Sequence, residues 1–236
     1  MPTTQDSLSI SAFIPCFNEI DNLQVMVQEL VSTLSGITSR YELIIIDDGS
    51  GDGTGRLAET LAQQNHRLKV IHHPKNLGYG LTLRSGFAAA RYRWIFFTDA
   101  DHQFDVRQLR QFMPFTKTHQ VIIGYRKTRA EGGIRAINAR LYQLFIDVIF
   151  RVHVKDIDCA FKLIRTDLIK QIHFTSTGAL ISAELLYKLK KMHQPFKQLP
   201  VNHYPRRFGK PTGANPKVIM KAGFEAVKLY LHLKFK

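Results

Sequence analysis

Between Ser9 and Ile123 the chain repeats one unit: a short apolar run rich in β-branched residues, a polar break, and a longer stretch with helical spacing. The short runs are Ser9 to Pro15, Leu43 to Ile46, Leu68 to Ile71, Trp94 to Phe97 and Val121 to Ile123. Helical stretches alternate with them, at Asn18 to Leu34, Thr54 to Gln64, Gly80 to Ala90 and Val106 to Phe115. In the first, Leu23, Val27, Leu30, Val31 and Leu34 recur at the 3.6-residue period of one buried helix face. Strands separated by helices pair parallel, so this rhythm predicts an α/β fold with a mostly parallel central sheet flanked by helices. Right-handed crossovers then gather the loops that follow the strands on one edge, where open α/β sheets hold ligands.

After Gly124 the texture changes. Arg126 to Arg135 is basic and contains Gly132-Gly133. Ile134 to Phe150 places Ile134, Ile137, Leu141, Leu144, Phe145, Val148 and Ile149 at helical spacing beside Arg135, Arg140 and Arg151. A strand at Phe161 to Ile164, a helix around Ser182 to Met192 and a strand at Phe196 to Val201 follow. From Pro216 to Phe235 apolar residues (Val218, Ile219, Ala222, Val227, Leu229, Tyr230, Leu233) interleave with lysines. The expected organisation is one domain over residues 1–215, with a basic loop and amphipathic helix at about 126–151, and a basic amphipathic helix over 216–236.

A chain of 236 residues with 44% apolar and 22% charged residues is long enough for a substantial core. Two cysteines, Cys16 and Cys159, do not make a disulfide framework, and a reducing, cytoplasmic setting is expected. Met1 is followed by polar residues, so no secretory leader is expected. Nor does any apolar run reach the length of a membrane span. The net charge is +14, with eight Lys/Arg against Glu225 alone from Arg206 onward. That excess calls for an anionic partner: a phosphorylated substrate, an acidic lipid surface or nucleic acid.

The polar breaks after the strands carry the chemistry. Trp94 to Phe97 delivers Asp99 and Asp101 one residue apart, then Gln103. In an extended chain the two carboxylates share a side and suit a hard cation, Mg²⁺ or Mn²⁺, which takes one or two carboxylates, waters and phosphate oxygens. An Asp-x-Asp alone can equally be a solvated turn. Ile14-Pro15-Cys16-Phe17-Asn18-Glu19 reads either as a helix start, with Asn18 the N-cap and Asp21 in the first turn, or as a wall for a nucleotide base made by Pro15 and Phe17, with Glu19 facing a ribose or base donor.

Ile46-Asp47-Asp48-Gly49-Ser50-Gly51-Asp52-Gly53-Thr54 is a Gly-rich turn in which Asp47 and Asp48 can accept from a base or ribose; its bland reading is a tight turn. Neither a dinucleotide fingerprint nor a P-loop is present. Lys75-Asn76-Leu77-Gly78-Tyr79-Gly80 precedes a helix carrying Arg84; its glycines can be turn punctuation, or Lys75 and Arg84 can face a diphosphate. Three such clusters on one sheet edge read together as a nucleotide-diphosphate site.

These motifs, in this order, resemble the family 2 inverting glycosyltransferases of the GT-A fold, in particular the dolichol-phosphate mannosyltransferases and bacterial polyprenyl-phosphate sugar transferases. Gly124-Tyr125-Arg126, Asp156-Ile157-Asp158-Cys159-Ala160-Phe161-Lys162-Leu163 and Arg207-Phe208-Gly209 extend the likeness over nearly the whole chain. The resemblance implies that Pro15, Phe17, Glu19, Asp48 and Asp99 hold the nucleoside, with Asp47, Gly78, Arg84, Ala100 and Lys210 completing the nucleotide-sugar site. It implies a metal, Mg²⁺ or Mn²⁺, on Asp99, Asp101 and Gln103, a donor-sugar and acceptor junction around Asp156 and Phe161, and a late phosphate loop at Arg207. That loop departs from the branch pattern Arg-x-Gly-x-Ser, since Pro211 takes the Ser position and leaves Lys210 or Thr212 as substitutes.

The implied reaction displaces a nucleoside diphosphate from the anomeric carbon with inversion. A polyprenyl phosphate acceptor is already anionic and needs no strong base, because its second pKa is about 6; a sugar hydroxyl needs a carboxylate base, for which Asp158, Asp156 and Glu184 are the candidates in that order. Glu184 can instead be a structural cap, and the His72-His73 pair reads as structural. The basic amphipathic stretches either pack on the sheet or lie peripherally on the inner face of a membrane, directly or through a membrane partner protein. Two further readings compete: transfer to a soluble or cell-surface glycan, and a basic nucleic-acid-binding protein. Nucleic acid is disfavoured, because Glu19, Asp47, Asp48, Asp52, Asp99, Asp101 and Asp105 on the ligand edge would repel its backbone.

Overall fold

In a computed structural model of the chain, residues 8–127, 144, 146–206, 226 and 229–231 are described. Among these residues seven strands form one sheet in the order β3-β2-β1-β4-β6-β5-β7. They are β1 (Ser9–Cys16), β2 (Arg40–Asp47), β3 (Leu68–His72), β4 (Trp94–Thr98), β5 (Val121–Arg126), β6 (Phe161–Arg165) and β7 (Phe196–Val201). The helices are α1 (Ile20–Ser35), α2 (Thr54–Gln64), α3 (Tyr79–Ala89), α4 (Thr166–Lys170) and α5 (Ile181–Lys191), with a 3₁₀ helix over Val106–Lys117.

β1 pairs parallel with β2 and β4, and β2 pairs parallel with β3. Successive units therefore wind outward from β1 in opposite directions, and a crevice opens where the carboxyl ends of β1 and β4 diverge. β6 runs antiparallel between β4 and β5, and β5 pairs parallel with β7. The sheet is mostly parallel, as expected, with one reversed strand.

The period-2 alternation of the strands divides the core. Ile10, Ala12 and Ile14 of β1 pack with Leu23, Met26 and Leu30 of α1 and Leu109 and Phe112 of the 3₁₀ helix on one face. Phe13, Ile44, Ile46 and Phe97 pack with Leu83 and Phe87 of α3 and Leu185 and Leu189 of α5 on the other. On that second face the Phe13 and Phe97 rings stack at 5.3 Å, and Phe87 meets both edge-on. Gly86 lies over this cluster: a Cβ there would be 2.5 Å from the fully buried Phe13 ring. Gly86→Ala is expected to destabilise the fold by about 1–3 kcal/mol, read from its urea midpoint, because the confined ring cannot retreat.

Three local features depart from or add to the expected pattern. The segment from Val106 is helical as expected, but in the 3₁₀ form, and it contains Pro114, which has no backbone N–H to donate. Asp105 caps it by accepting from the Arg107 N–H at 3.0 Å. Asn18 is not the N-cap of α1. Its φ is 55°, in the left-handed region, whereas an N-cap residue is extended, and the cap position falls to Glu19. The donors at this helix start are instead met by the loop after β2: Asn18, Glu19 and Ile20 donate backbone N–H groups to Ser50 Oγ, Thr54 Oγ1 and Asp52, while Asn18 Oδ1 accepts from Gly51 N–H. The loops after β1 and β2 are thereby one unit. Finally, the short α4 was not anticipated, its five residues being too few to show a period.

The expected domain limit near residue 215 and most of the helix from Ile134 lie outside the described residues, as do Arg207, Lys210, Pro211 and Thr212. Residues 146–150 are helical, and so are 226 and 229–231. Ile146, Phe150, Ala226 and Leu229 are buried in the second-face core, and the Phe150 and Tyr230 rings meet at 5.9 Å. Part of each amphipathic stripe is thus core. Leu144, Val148 and Leu231 are exposed. Among the described residues no helix is long and apolar enough to cross a membrane.

Candidate active site

A cleft of about 720 Å³ opens at the carboxyl ends of β1, β2 and β4, within the range of small-molecule sites. From β1 and its loop it takes Pro15, Cys16, Phe17, Asn18 and Glu19; from the loop after β2, Asp48. Asn76, Gly78, Tyr79 and Thr82 line it from the start of α3, Asp99, Ala100 and Asp101 from the end of β4, and Arg206 from beyond β7. Of the expected nucleotide-sugar and metal residues, Pro15, Phe17, Glu19, Asp48, Gly78, Asp99, Ala100 and Asp101 are brought together here.

The others are placed elsewhere, for identifiable reasons. Asp47 and Asp48 are successive residues at a strand end, so they point opposite ways. Asp47 turns under the start of α2, accepting from His72 Nδ1 at 3.0 Å and Ser50 N–H at 3.1 Å. Asp48 lines the cleft but spends its oxygens on the loop before α3, accepting from Leu77 N–H and Gly78 N–H, each at 2.9 Å, and from His73 Nδ1 at 2.6 Å. His72 and His73 are structural, as read: each ties a strand-end aspartate to a helix residue, Glu59 or Ser85. Arg84 does not reach the cleft. Tyr79 and Thr82 face it three residues apart on α3, and a residue two beyond Thr82 lies on another side of the helix.

Gln103 also turns away. The chain does not stay extended after β4: His102 has φ 58°, and Gln103 Nε2 donates to Tyr204 O at 3.2 Å. The backbone N–H of Gln103 instead donates to Asp101 Oδ1 at 3.1 Å. Of the three residues expected at the metal, Asp99 and Asp101 line the cleft and Gln103 does not, and no group of three or more acidic, His or Cys ligands occurs among the described residues.

The pair itself is electrostatically strained. Burial, followed by the charge of Asp101, pushes the Asp99 carboxyl up to about 7, and burial likewise raises Asp101. Burial is also the main reason that Glu19 is raised. Arg206, whose position beside Arg207 gave no sign of its role, meets this charge: its guanidinium pairs with Glu19 and lies 3.4 Å from Asp101 Oδ2. Tyr79 was also missed. Its hydroxyl donates to Asp99 Oδ1 at 3.1 Å, and burial and then the Asp99 charge hold it well above the ordinary phenol range, fully protonated. Two carboxylates with raised pKa values at a cleft floor, Asp101 buried and Asp99 half-buried, could serve a hard divalent cation that takes its other ligands from water and phosphate.

The candidate bases lie outside the lining of this cleft. Asp156 is buried in a two-pronged ion pair with Arg126 (2.6 and 2.7 Å). Asp158, two residues on, is exposed, and its charge is felt at Tyr79. Glu184 is wholly buried and accepts from Thr175 N–H and Oγ1, Ser176 N–H and Lys188 Nζ, between 2.6 and 2.9 Å. Burial raises its pKa, but the Lys188 ammonium and the two backbone donors outweigh burial and hold it below the usual range. These contacts agree with the structural reading of Glu184. Glu184→Gln is expected to lower the melting temperature yet keep kcat within about tenfold of wild type, where loss of a general base costs about 10²–10⁴-fold; a steady-state assay alongside a thermal melt separates the two.

The family model of glycosyl transferase family 2 matches residues 11–189, well over half the chain. Among characterised proteins, the chain is 28% identical over 170 residues to dodecaprenyl-phosphate galacturonate synthase of Rhizobium johnstonii, covering 70% of this chain and 50% of that protein. It is 24% identical over 218 residues to dolichyl-phosphate beta-glucosyltransferase of Dictyostelium discoideum, covering 84% and 67% respectively. The chain thus spans about half the length of the first of these relatives. A crystal structure of Mycobacterium tuberculosis glucosyl-3-phosphoglycerate synthase, in complex with Mn²⁺, UDP and phosphoglyceric acid, superposes with a TM-score of 0.73 over 94% of this chain and 78% of that one, at 17% identity. A second solved relative, mannosyl-3-phosphoglycerate synthase from Rubrobacter xylanophilus, gives a TM-score of 0.66 over 96% and 75% at 16% identity. The matched family model, together with the shared fold, establishes that the chain belongs to glycosyl transferase family 2.

Proposed function

We propose that this glycosyltransferase moves a sugar, with inversion, from a UDP- or GDP-linked donor to a polyprenyl phosphate at the cytoplasmic face of a membrane. The observation that carries the donor half is the Asp99–Asp101 pair, half-buried and buried respectively, in a cleft lined by Pro15 and Phe17. Asp99 and Asp101 would hold Mg²⁺ or Mn²⁺, which, when bound, neutralises the charge of the departing diphosphate. Phe17, 43% exposed, offers its ring to a base, and Glu19 faces the same space. Arg206 is placed to donate to the diphosphate, as an arginine at a phosphoryl clamp does.

Support for a phosphate acceptor comes from the candidate bases. Asp156 is committed to Arg126 and Glu184 to Lys188, so two of the three are poor proton acceptors. A phosphate oxygen attacks without one. The relatives named for dodecaprenyl phosphate and dolichyl phosphate point the same way. Peripheral membrane contact agrees with the exposed Leu144, Val148 and Leu231 on helical segments of a chain of net charge +14.

The test offers the purified protein UDP- and GDP-sugars with Mn²⁺ and a short polyprenyl phosphate. Lipid-linked product is expected; transfer to free sugars or glycans alone would replace this reading by the glycan one. Flotation on vesicles with and without anionic lipid checks the surface contact, and equal flotation on both would remove its electrostatic part.

A further inference from the structure

We propose that Tyr79 is the positioning residue for Asp99: its hydroxyl fixes one oxygen of that carboxylate so that the pair with Asp101 is set for a divalent cation before one binds. This deepens the proposed function and rests on its assignment of Asp99 as a metal ligand.

Asp99 lies just beyond the end of β4, on a chain that is already turning, so its side-chain direction is not set by strand geometry. Tyr79 supplies the constraint from another element. Its ring packs against the second-face core while its hydroxyl reaches Asp99 Oδ1 at 3.1 Å within the cleft. A tyrosine can serve this way because its body is anchored by packing and its tip is a donor.

The first turn of α3 is itself clamped from two sides. On one side Asp48 accepts from Leu77 N–H and Gly78 N–H, fixing the entry to the helix, with Gly78 at φ 91°. On the other, the backbone of Thr177 and Gly178 runs directly against Gly80, where a Cβ would lie 2.4 Å from Thr177 C and 2.6 Å from Gly178 N. That segment is pinned just upstream by the Glu184 carboxylate, through Thr175 and Ser176. A buried glutamate, a glycine that must be glycine, and a tyrosine hydroxyl thus form one chain of contacts ending on Asp99. A space-filling role for Tyr79 would need the ring and not the hydroxyl.

Tyr79→Phe separates the two roles, since it keeps the ring and removes only the donor. Mn²⁺ binding is measured by electron paramagnetic resonance on the full chain with UDP present, beside UDP binding without metal and a thermal melt. The expected result is a Kd for Mn²⁺ raised about tenfold, the typical worth of a hydrogen bond to a charged group, with metal-free UDP binding unchanged. An unchanged Mn²⁺ affinity in a folded Tyr79→Phe protein overturns the proposal while leaving the metal site standing. Absence of Mn²⁺ binding by the wild type with UDP overturns the metal assignment itself, and the proposal with it. If the Phe variant does not fold, Tyr79→Met, which keeps an adaptable apolar body and likewise lacks the donor, takes its place: Mn²⁺ binding weakened about tenfold supports the proposal, and wild-type affinity overturns it.

Discussion

Asp101→Asn is expected to lower Mn²⁺-dependent sugar transfer at least about 10²-fold while the protein stays folded. Asparagine keeps an oxygen of the same reach, so the bond from Gln103 N–H and the turn after β4 survive. What is lost is a charge that the cleft does not use for its own stability: burial disfavours the ionised carboxylate. The substitution also leaves Arg206 with Glu19 as its partner across the cleft. A donor-hydrolysis or lipid-transfer assay read against a circular-dichroism melt decides the matter. A folded Asp101→Asn protein with undiminished Mn²⁺-dependent activity would end the metal assignment.

Glu42→Ala should produce the largest loss of stability among the polar substitutions considered, about 2–3 kcal/mol. Glu42 is 2% exposed and stands at the opposite end of the sheet from the cleft. Its oxygens accept from Ser11 Oγ (2.6 Å), Arg91 N–H (3.1 Å), Arg91 Nε (3.0 Å) and Lys69 Nζ (3.0 Å), tying β1, β2, β3 and the exit of α3 together. Truncation strips the buried Ser11 hydroxyl of its acceptor. The Lys69 and Arg91 side chains are 38% and 61% exposed, so their pairing adds less than a sealed ion pair would.

The same carboxylate predicts a pH dependence. Burial raises its pKa, but the hydrogen bonds from Ser11, Lys69 and Arg91 outweigh burial and set it below the usual glutamate range. A lowered folded pKa means stability that is present above the unfolded value, about 4.3, and lost as the pH falls through the folded one. Denaturation midpoints of wild type and Glu42→Gln should therefore differ at pH 7 and converge in acid. A gap that stays constant down to pH 3 would assign the loss to packing instead.

Much of the fold was legible because its signals are local. The β-branched runs at Ser9, Leu43, Leu68 and Trp94 lie within two or three residues of the observed strands. The direction of β6 was not legible, since Phe161 to Ile164 has the same alternation read either way. Nor was the 3₁₀ form of Val106–Lys117, whose apolar spacing does not by itself separate it from an α-helix.

At the site, residue type was visible and orientation was not. Acidic groups at the ends of β1, β2 and β4 do meet in one cleft, but whether Asp47 or Asp48 faces it depends on one step of the pleat. Glu184 could be a base or a cap until its four donors were seen. Arg206 and Tyr79 were missed because each acts through a partner more than twenty residues away or on another element, Arg206 on Glu19 and Tyr79 on Asp99. An arginine doublet or a tyrosine at a helix start carries no mark of such pairing.

The occupation of Asp48 by Leu77 N–H, Gly78 N–H and His73 bears on how donor preference can change in this scaffold. A carboxylate that holds the rim of the crevice in shape is not available to be traded for another base-reading group. Exchange there would release the Asn76–Gly78 rim and the start of α3 together. If the cleft takes a nucleotide as proposed, redesign of nucleotide choice would have its freedom at Phe17 and Asn76, which line the same space.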